Sequence, residues 1–293
     1  MRSDQSSSDA DHDTLNIAQC VSLACLLEVT APKPGNVHRG ADFDDLTFTD
    51  FLISGVIVGP ILAEAAARGV GTVVLEAVRA TRRAIGTNSN LGMVLLIAPL
   101  AAVPHNQPLR AGVADVLIAL NTVDAEQIWR AIAAAKPGGL GRADQHDVAG
   151  PPPENIVAAM RLAADRDLIA AQYANDFAHV FNYVTPWLCE ERRNCQSLLD
   201  AIIRTQIRLL SEFPDTLIAR KCGRPTAEKA ALIARKVLEA GRPDDEAYHL
   251  ALAEFDFWLR SDGRRRNPGT TADLIAAGLF VALRDHLIEP PYR

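Results

Sequence analysis

Apolar residues recur at helical spacing along almost the whole chain. Ala18, Val21, Cys25 and Val29 share one face of a helix that Asp13 or Thr14 would cap and that runs to about Thr30. A polar loop with two prolines and two glycines follows from Ala31 to Leu46. A second helix then runs from Thr47 or Thr49 to Arg68, with a kink expected at Pro60. Gly69 and Gly71 punctuate the chain before a third helix, capped by Thr72 and ending near Ile85. The loop Gly86–Asn90 opens onto an apolar helix over Leu91–Val103. The same spacing predicts helices over 109–121, 124–135, 154–164, 167–193, 195–212, 226–240, 244–261 and 271–287. No stretch alternates with period two between hairpin turns, so the pattern predicts an all-α bundle of roughly a dozen helices with little or no sheet. The expected organisation is a disordered tail over 1–13, rich in Ser and Asp, and a single catalytic domain over 14–293. Residues 136–153 form the longest Gly/Pro-rich interruption, either a lid or a long connection.

Composition sharpens this picture. Apolar residues make up 48% of the 293 positions but aromatic ones only 5%, so the core is built from small aliphatic side chains, which favours helix packed on helix. A net charge of −6 argues against nucleic-acid binding by phosphate neutralisation. The five cysteines are odd in number and form no C-x-x-C pair, the usage of reduced thiols in a cytoplasmic protein. The most apolar stretches, Phe51–Ala67 and Leu91–Val103, are interrupted by proline and too short for a membrane span.

Four polar loops carry the candidate chemistry. In Pro32-Lys33-Pro34-Gly35 two prolines stiffen the backbone around a lysine suited to phosphate, and Gly35 permits a tight turn; a rigid connector would read the same. Asn88, Ser89 and Asn90 stand at a helix start, where free N–H groups and small polar side chains favour an anion or a ribose; an N-cap alone would also use them. Asp215-Thr216 offers oxygen donors for Mg²⁺, and Arg220 with Lys221 offers cations for phosphate, although a capped helix start explains the same letters. Arg264-Arg265-Arg266 leads into Gly269-Thr270-Thr271 at a helix N-terminus, with Asp273 in its first turn. Glu28 lies near the C-terminal end of an apolar helix, where the macrodipole disfavours its charge. Pro137-Gly138-Gly139-Leu140-Gly141 lacks the Gly-Lys-Ser/Thr of a phosphate loop, and His146 and Asp147 beyond it are weak candidates. Trp129, Trp187 and Trp258 fit helix-packing positions.

The order of these loops resembles the triphosphoribosyl-dephospho-CoA synthase family, from Glu28 to Asp273. The elements P-K-P-G-x-V, G-A…D, G-x-N-T-H-K-G, D-T…R-x-G and P-G-G-S-A-D-L are similar, in turn, to Pro32–Val37, to Gly40-Ala41 with Asp45, to Gly86–Gly92, to Asp215–Gly223 and to Pro268–Leu274. Asn90-Leu91 stands in place of the family's His-Lys, and His38 in place of an Asp, which marks a divergent member. The resemblance implies an all-α enzyme, a glycosyltransferase of coenzyme biosynthesis in which adenine leaves the ribose of ATP and a hydroxyl of dephospho-CoA takes its place. It implies Glu28, Asp45 and Asp273 as catalytic carboxylates, and Asp45, Asp215 and Asp273 as Mg²⁺ ligands. Phosphates and nucleotide would fall to Lys33, Gly35, Asn88, Ser89, Asn90, Arg220, Lys221, Gly269, Thr270 and Thr271. The partners expected are small-molecule nucleotides and cofactor precursors, without nucleic acid or membrane; a homodimer is left open. Three alternatives also stay open: transfer to a pterin-type one-carbon carrier, hydrolysis of a nucleoside or ADP-ribosyl group, and a non-enzymatic nucleotide-binding scaffold.

Overall fold

The computed structural model describes residues 15–135 and 150–293. The expected tail, the cap at Asp13 or Thr14, the glycine run from Gly138 and the candidates His146 and Asp147 lie outside these residues, as does most of the suspected lid.

In order, the helices are α1 (Ile17–Thr30), α2 (Phe48–Ala63), α3 (Ala65–Arg68), α4 (Val70–Ile85), α5 (Leu91–Ala101), α6 (Leu109–Ala119), α7 (Thr122–Ala135) and α8 (Ile156–Arg161). They continue as α9 (Leu168–Ala174), α10 (Thr185–Asn194), α11 (Leu198–Glu212), α12 (Thr216–Cys222), α13 (Arg224–Glu239), α14 (Glu246–Arg260) and α15 (Gly269–Arg284). Extended backbone among the described residues is limited to a short segment, β1 (Ser261–Arg264), and two isolated bridges in the loop before α2. The all-α expectation holds, and no helix among the described residues is long and apolar enough to cross a membrane.

Several boundaries differ for local reasons. Asn16, rather than Asp13 or Thr14, caps α1: its carboxamide accepts from the Gln19 N–H, and the Gln19 side chain accepts from the Asn16 N–H. Helix α4 begins at Val70 instead of after Thr72, because Gly69 adopts φ +85° and Asp124 Oδ1 accepts from the Gly71 N–H at 2.8 Å. Pro60 sits within α2 and the break comes at Glu64. The long helix expected over 167–193 is divided, because Asp176 and Phe177 take positive φ values of 53° and 61° and a π-turn occupies Val180–Val184. A further short helix, α12, follows Pro214 with Asp215 as its cap, the capped helix start that the sequence leaves open for Asp215-Thr216.

Helix α15 lies at the centre, packed on α1, α5, α9, α10, α11 and α12. All its residues are buried except Gly269 and Asp273, so it has no solvent face for its apolar residues to avoid. Helix α5, which packs on α15, is buried at every residue except Gly92. Two helices otherwise sealed in the core therefore open only near their N-terminal ends. This is what positions the site.

Candidate active site

The openings of α5 and α15 face each other. A Cβ on Gly92 would overlap the carboxylate of Asp273, so only glycine lets the two helix starts approach this closely. Asp273 has no hydrogen bond or ion pair among the described residues, and its oxygens are not sealed from solvent. Its pKa is pushed well above the ordinary carboxylate value of 3.8, first by scarce solvation and then by the like charges of Glu28, Asp215 and Asp167; Arg220 opposes the shift. The four neighbours that act on Asp273 come from three stretches of sequence: α1, the start of α9, and α12 with its cap.

Three of the four candidate loops converge here by direct bonds. Asp215 is fully buried at the start of α12. Its Oδ1 accepts from the Leu217 and Ile218 N–H groups at 2.9 and 3.0 Å. Its Oδ2 accepts from the N–H and hydroxyl of Thr271, both at 2.8 Å, which joins the starts of α12 and α15. Burial raises its pKa, and these donors counter the rise. Thr216 Oγ1 lies 3.1 Å from Thr270 Oγ1 and accepts from the Leu168 N–H at 3.3 Å, bringing α9 to the same point. Asp167 caps α9, accepting from the Ile169 and Ala170 N–H groups, and also accepts from the guanidinium of Arg220. Gly269 lies against Leu217, leaving too little room for a Cβ.

The first loop is locked onto the other side. Gly35, at φ +77°, donates its N–H to Asp256 Oδ1 at 2.7 Å, and a Cβ there would press on Leu259 and Pro268. Asn36 donates to Asn267 Oδ1 at 2.6 Å and accepts from Gln206 Nε2 at 2.5 Å, while Arg260 donates to the Asn36 carbonyl. Lys33 is buried completely: its ammonium pairs with Glu28 Oε1 at 2.8 Å and also donates to the Glu28 carbonyl. Burial raises the pKa of Glu28, and Lys33 counters the rise. An ammonium held this way balances Glu28 and is closed to bulk solvent, whereas the sequence suggested a phosphate contact.

The second loop reaches the site through α5. Asn88 Oδ1 accepts from the Leu91 N–H at 3.1 Å, and Ser89 Oγ lies 2.7 Å from the buried Ser54 Oγ. Asn90 is buried; its Nδ2 approaches Thr81 Oγ1 at 3.5 Å and its Oδ1 has no partner. Lys221 is half-buried, and burial with the charges of Arg264 and Arg220 makes it a weaker base.

The expected magnesium ligands are not brought together. Asp45 is exposed and pairs with Arg264 at 2.7 Å, while Asp215 spends both oxygens on protein donors. Among the described residues no three His, Cys, Asp or Glu side chains converge as a metal site. Sequence reasoning missed Asp167, Ser54, Gln206, Asp256 and Arg260, which orient the loops. Only Asp167 carried a local signal, an Asp immediately before an apolar helix start. The others act across long separations.

No curated protein matches the chain. A crystal structure from Archaeoglobus fulgidus, provisionally assigned as a triphosphoribosyl-dephospho-CoA synthase, is similar, with a TM-score of 0.64 and 26% sequence identity over 81% of this chain and 100% of that one. The family model described as CitG, ATP:dephospho-CoA triphosphoribosyl transferase, matches residues 14–291. With its four loops gathered at the starts of α5, α12 and α15 and that match spanning them all, the chain belongs to the CitG family of ATP-dependent triphosphoribosyl transferases.

Proposed function

We propose that Asp273 is the general base of the triphosphoribosyl transfer, and that the opening between α5 and α15 is where the two riboses meet. The observation that carries this reading is a half-buried carboxylate with no hydrogen bond or ion pair among the described residues, facing Gly92 where two otherwise buried helices open.

The reaction breaks the bond between the ribose C1′ of ATP and adenine, and adenine leaves with the bonding electron pair. A new C–O bond forms to a ribose hydroxyl of dephospho-CoA, whose proton passes to the Asp273 carboxylate and, by way of solvent, to the adenine nitrogen, so that neutral adenine is released and the carboxylate is restored. A base works best when its acidity lies near the working pH, so the upward shift of Asp273 suits it to the task. Negative charge from Asp273 and Glu28 also stabilises the positive character that develops at C1′, as carboxylates do in glycoside chemistry. The Lys33 ammonium beside Glu28 opposes the rise in pKa that burial imposes on it. The triphosphate is held by Arg220 and Lys221 and by the Gly92 and Met93 N–H groups of α5 and the Thr270 N–H of α15, since Asn88, Asp215 and Asn267 already take the Leu91, Thr271 and Gly269 N–H groups. Asn88, Ser89, Asn90, Thr270 and Thr271 shape the ribose pocket between them. The carboxylates do not fit a protein-held magnesium site, so Mg²⁺ enters only as the ion that accompanies ATP, and no step is routed through it.

The test is adenine release followed by chromatography. Purified protein with ATP, Mg²⁺ and dephospho-CoA should release one adenine per acceptor consumed. Equal release in the absence of any acceptor would mean that water is the nucleophile, and the transferase reading would fall.

A further inference from the structure

Aromatic residues make up only 5% of this chain, yet Tyr183, Trp187 and Phe213 gather in one place with His179. The ring centre of Phe213 lies 5.0 Å from those of His179 and Tyr183 and 6.4 Å from that of Trp187. The cluster is not sealed: Tyr183 is 38% exposed and the other three rings are partly so. The backbone that presents it is unusual too. Asp176 and Phe177 take positive φ in succession, which residues other than glycine seldom do, and the π-turn at Val180–Val184 follows directly. His179, between them, is set up as a donor. Its Nδ1 lies 2.9 Å from Gln172 Nε2 and 3.3 Å from Asn175 Nδ2. Backbone groups orient both amides: Gln172 donates to the Leu168 carbonyl and accepts from the His179 N–H, and Asn175 accepts from the Ala178 N–H. Nδ1 is therefore an acceptor, and the ring proton sits on Nε2. That N–H has no hydrogen-bond partner among the described residues, and burial lowers the pKa of the ring, favouring its neutral form. Packing alone does not call for a ring donor left open at a half-exposed surface.

We propose that Tyr183, Trp187 and Phe213, with the Nε2–H of His179, form a purine-binding platform at the edge of the active site. The cluster is joined to that site at two points. Phe213 runs through Pro214 directly into Asp215, and Gln172, which holds His179, bonds the carbonyl of Leu168, whose own N–H donates to Thr216 at the start of α12. The proposal rests on the transferase reading, because both substrates of that reaction carry adenine, one on ATP and one on dephospho-CoA. A purine presents a flat π face, which stacks on aromatic rings, and ring nitrogens that accept a hydrogen bond, which a neutral imidazole N–H supplies. The guanidinium of Arg208 already lies over Trp187, 4.3 Å from its ring centre, so Tyr183, the most open of the four rings, supplies the outer stacking face. Phe213 and Trp187 support Tyr183 from behind, and the turn from Asp176 to Val184 holds His179 beside it.

The binding test uses the full chain and adenosine monophosphate in titration calorimetry, and it does not require turnover. Tyr183→Leu keeps an apolar side chain but removes the π face, and should weaken AMP by roughly tenfold, the loss of one stacked base. Tyr183→Phe keeps the ring and should bind as the wild type does. His179→Phe keeps a flat ring without its donor and should weaken AMP by roughly fivefold. Ribose 5-phosphate, which has no base, should behave alike with all four proteins. The proposal is overturned if AMP does not bind the wild type, or if either Tyr183→Leu or His179→Phe binds it unchanged. It is also overturned if ribose 5-phosphate weakens in step with AMP, the mark of a merely structural cluster. Should His179→Phe melt far below the wild type, the Tyr183 pair of variants decides. Steady-state KM values of Tyr183→Leu then separate the two sources. A rise confined to ATP assigns the platform to the donor adenine, and a rise confined to dephospho-CoA assigns it to the acceptor adenine. An unchanged KM for both overturns the proposal. Failure of the transferase reading would show separately, as a wild-type protein that binds AMP through Tyr183 but releases no adenine.

Discussion

Two groups of buried charge in this protein use similar side chains to opposite ends. Between α10 and α11, Glu191 accepts from Arg204 Nε and from Arg242, both at 3.0 Å, and Arg204 also donates to the Gly241 carbonyl while lying over the ring of Tyr248. Every charge there has an opposite partner, and positive charge is in excess. At the starts of α5 and α15 the balance is reversed. Glu28 has Lys33 and Asp167 has Arg220, but Asp215 is met by neutral donors and Asp273 has no partner among the described residues. The first arrangement ties helices together. The second keeps one carboxylate under strain from its neighbours and leaves it free to take a proton.

The largest test of this contrast is Asp273→Asn, which keeps the shape and removes the charge. Adenine release should fall by about 10²–10⁴-fold, the usual contribution of a positioned base. The melting temperature should stay level or rise, because an ionised Asp273 disfavours the fold. The sign follows from its raised pKa: the folded state holds the Asp273 proton more tightly than the unfolded chain. The stability so gained is present below the ordinary value of 3.8 and is lost as pH rises through the raised folded value. A variant that loses both activity and stability would place Asp273 with the structural charges instead.

Arg204→Met probes the opposite member of the comparison. Urea unfolding should show a loss of about 3 kcal/mol, the lower end for breaking a buried pair, because Arg242 still faces Glu191. Turnover per folded molecule should be unchanged. If turnover collapses, the two groups of charge are coupled and the contrast fails.

Gly92→Ala tests how finely the unpaired carboxylate is placed. The added methyl displaces the Asp273 side chain without altering any charge, and turnover should drop by about tenfold to a hundredfold, as small misplacements in active sites do. Normal turnover would show that Asp273 needs no fixed position.

The smallest effect is in the pH profile. Because the base must be ionised, kcat/KM should decline on the acid side by about tenfold per pH unit once pH falls below the raised value of Asp273. In Asp273→Asn that limb should vanish, and a limb that persists would belong to another group.

The helical periodicity alone, from Ala18 to Val29 and onward, determined that this chain is all-α, and the position of four polar loops pointed to Lys33, Asn88, Asp215 and Asp273 as chemistry. These features are local: a repeat of 3.6 residues or a glycine beside a helix start acts over a few positions and is written in a few letters. What each candidate does was decided by partners far away in sequence. Lys33 and Asp215 both look like ligands in isolation, yet Glu28 and Thr271 bury and satisfy them; Asp45 looks like a metal ligand, yet Arg264 lies across from it. Asp273 acquires its character only because α5 and α15 cross at Gly92, 181 positions earlier (273 − 92), where no side chain intervenes. Charge interactions depend on distance in space and on the water left between groups, and neither is set until the helices have packed.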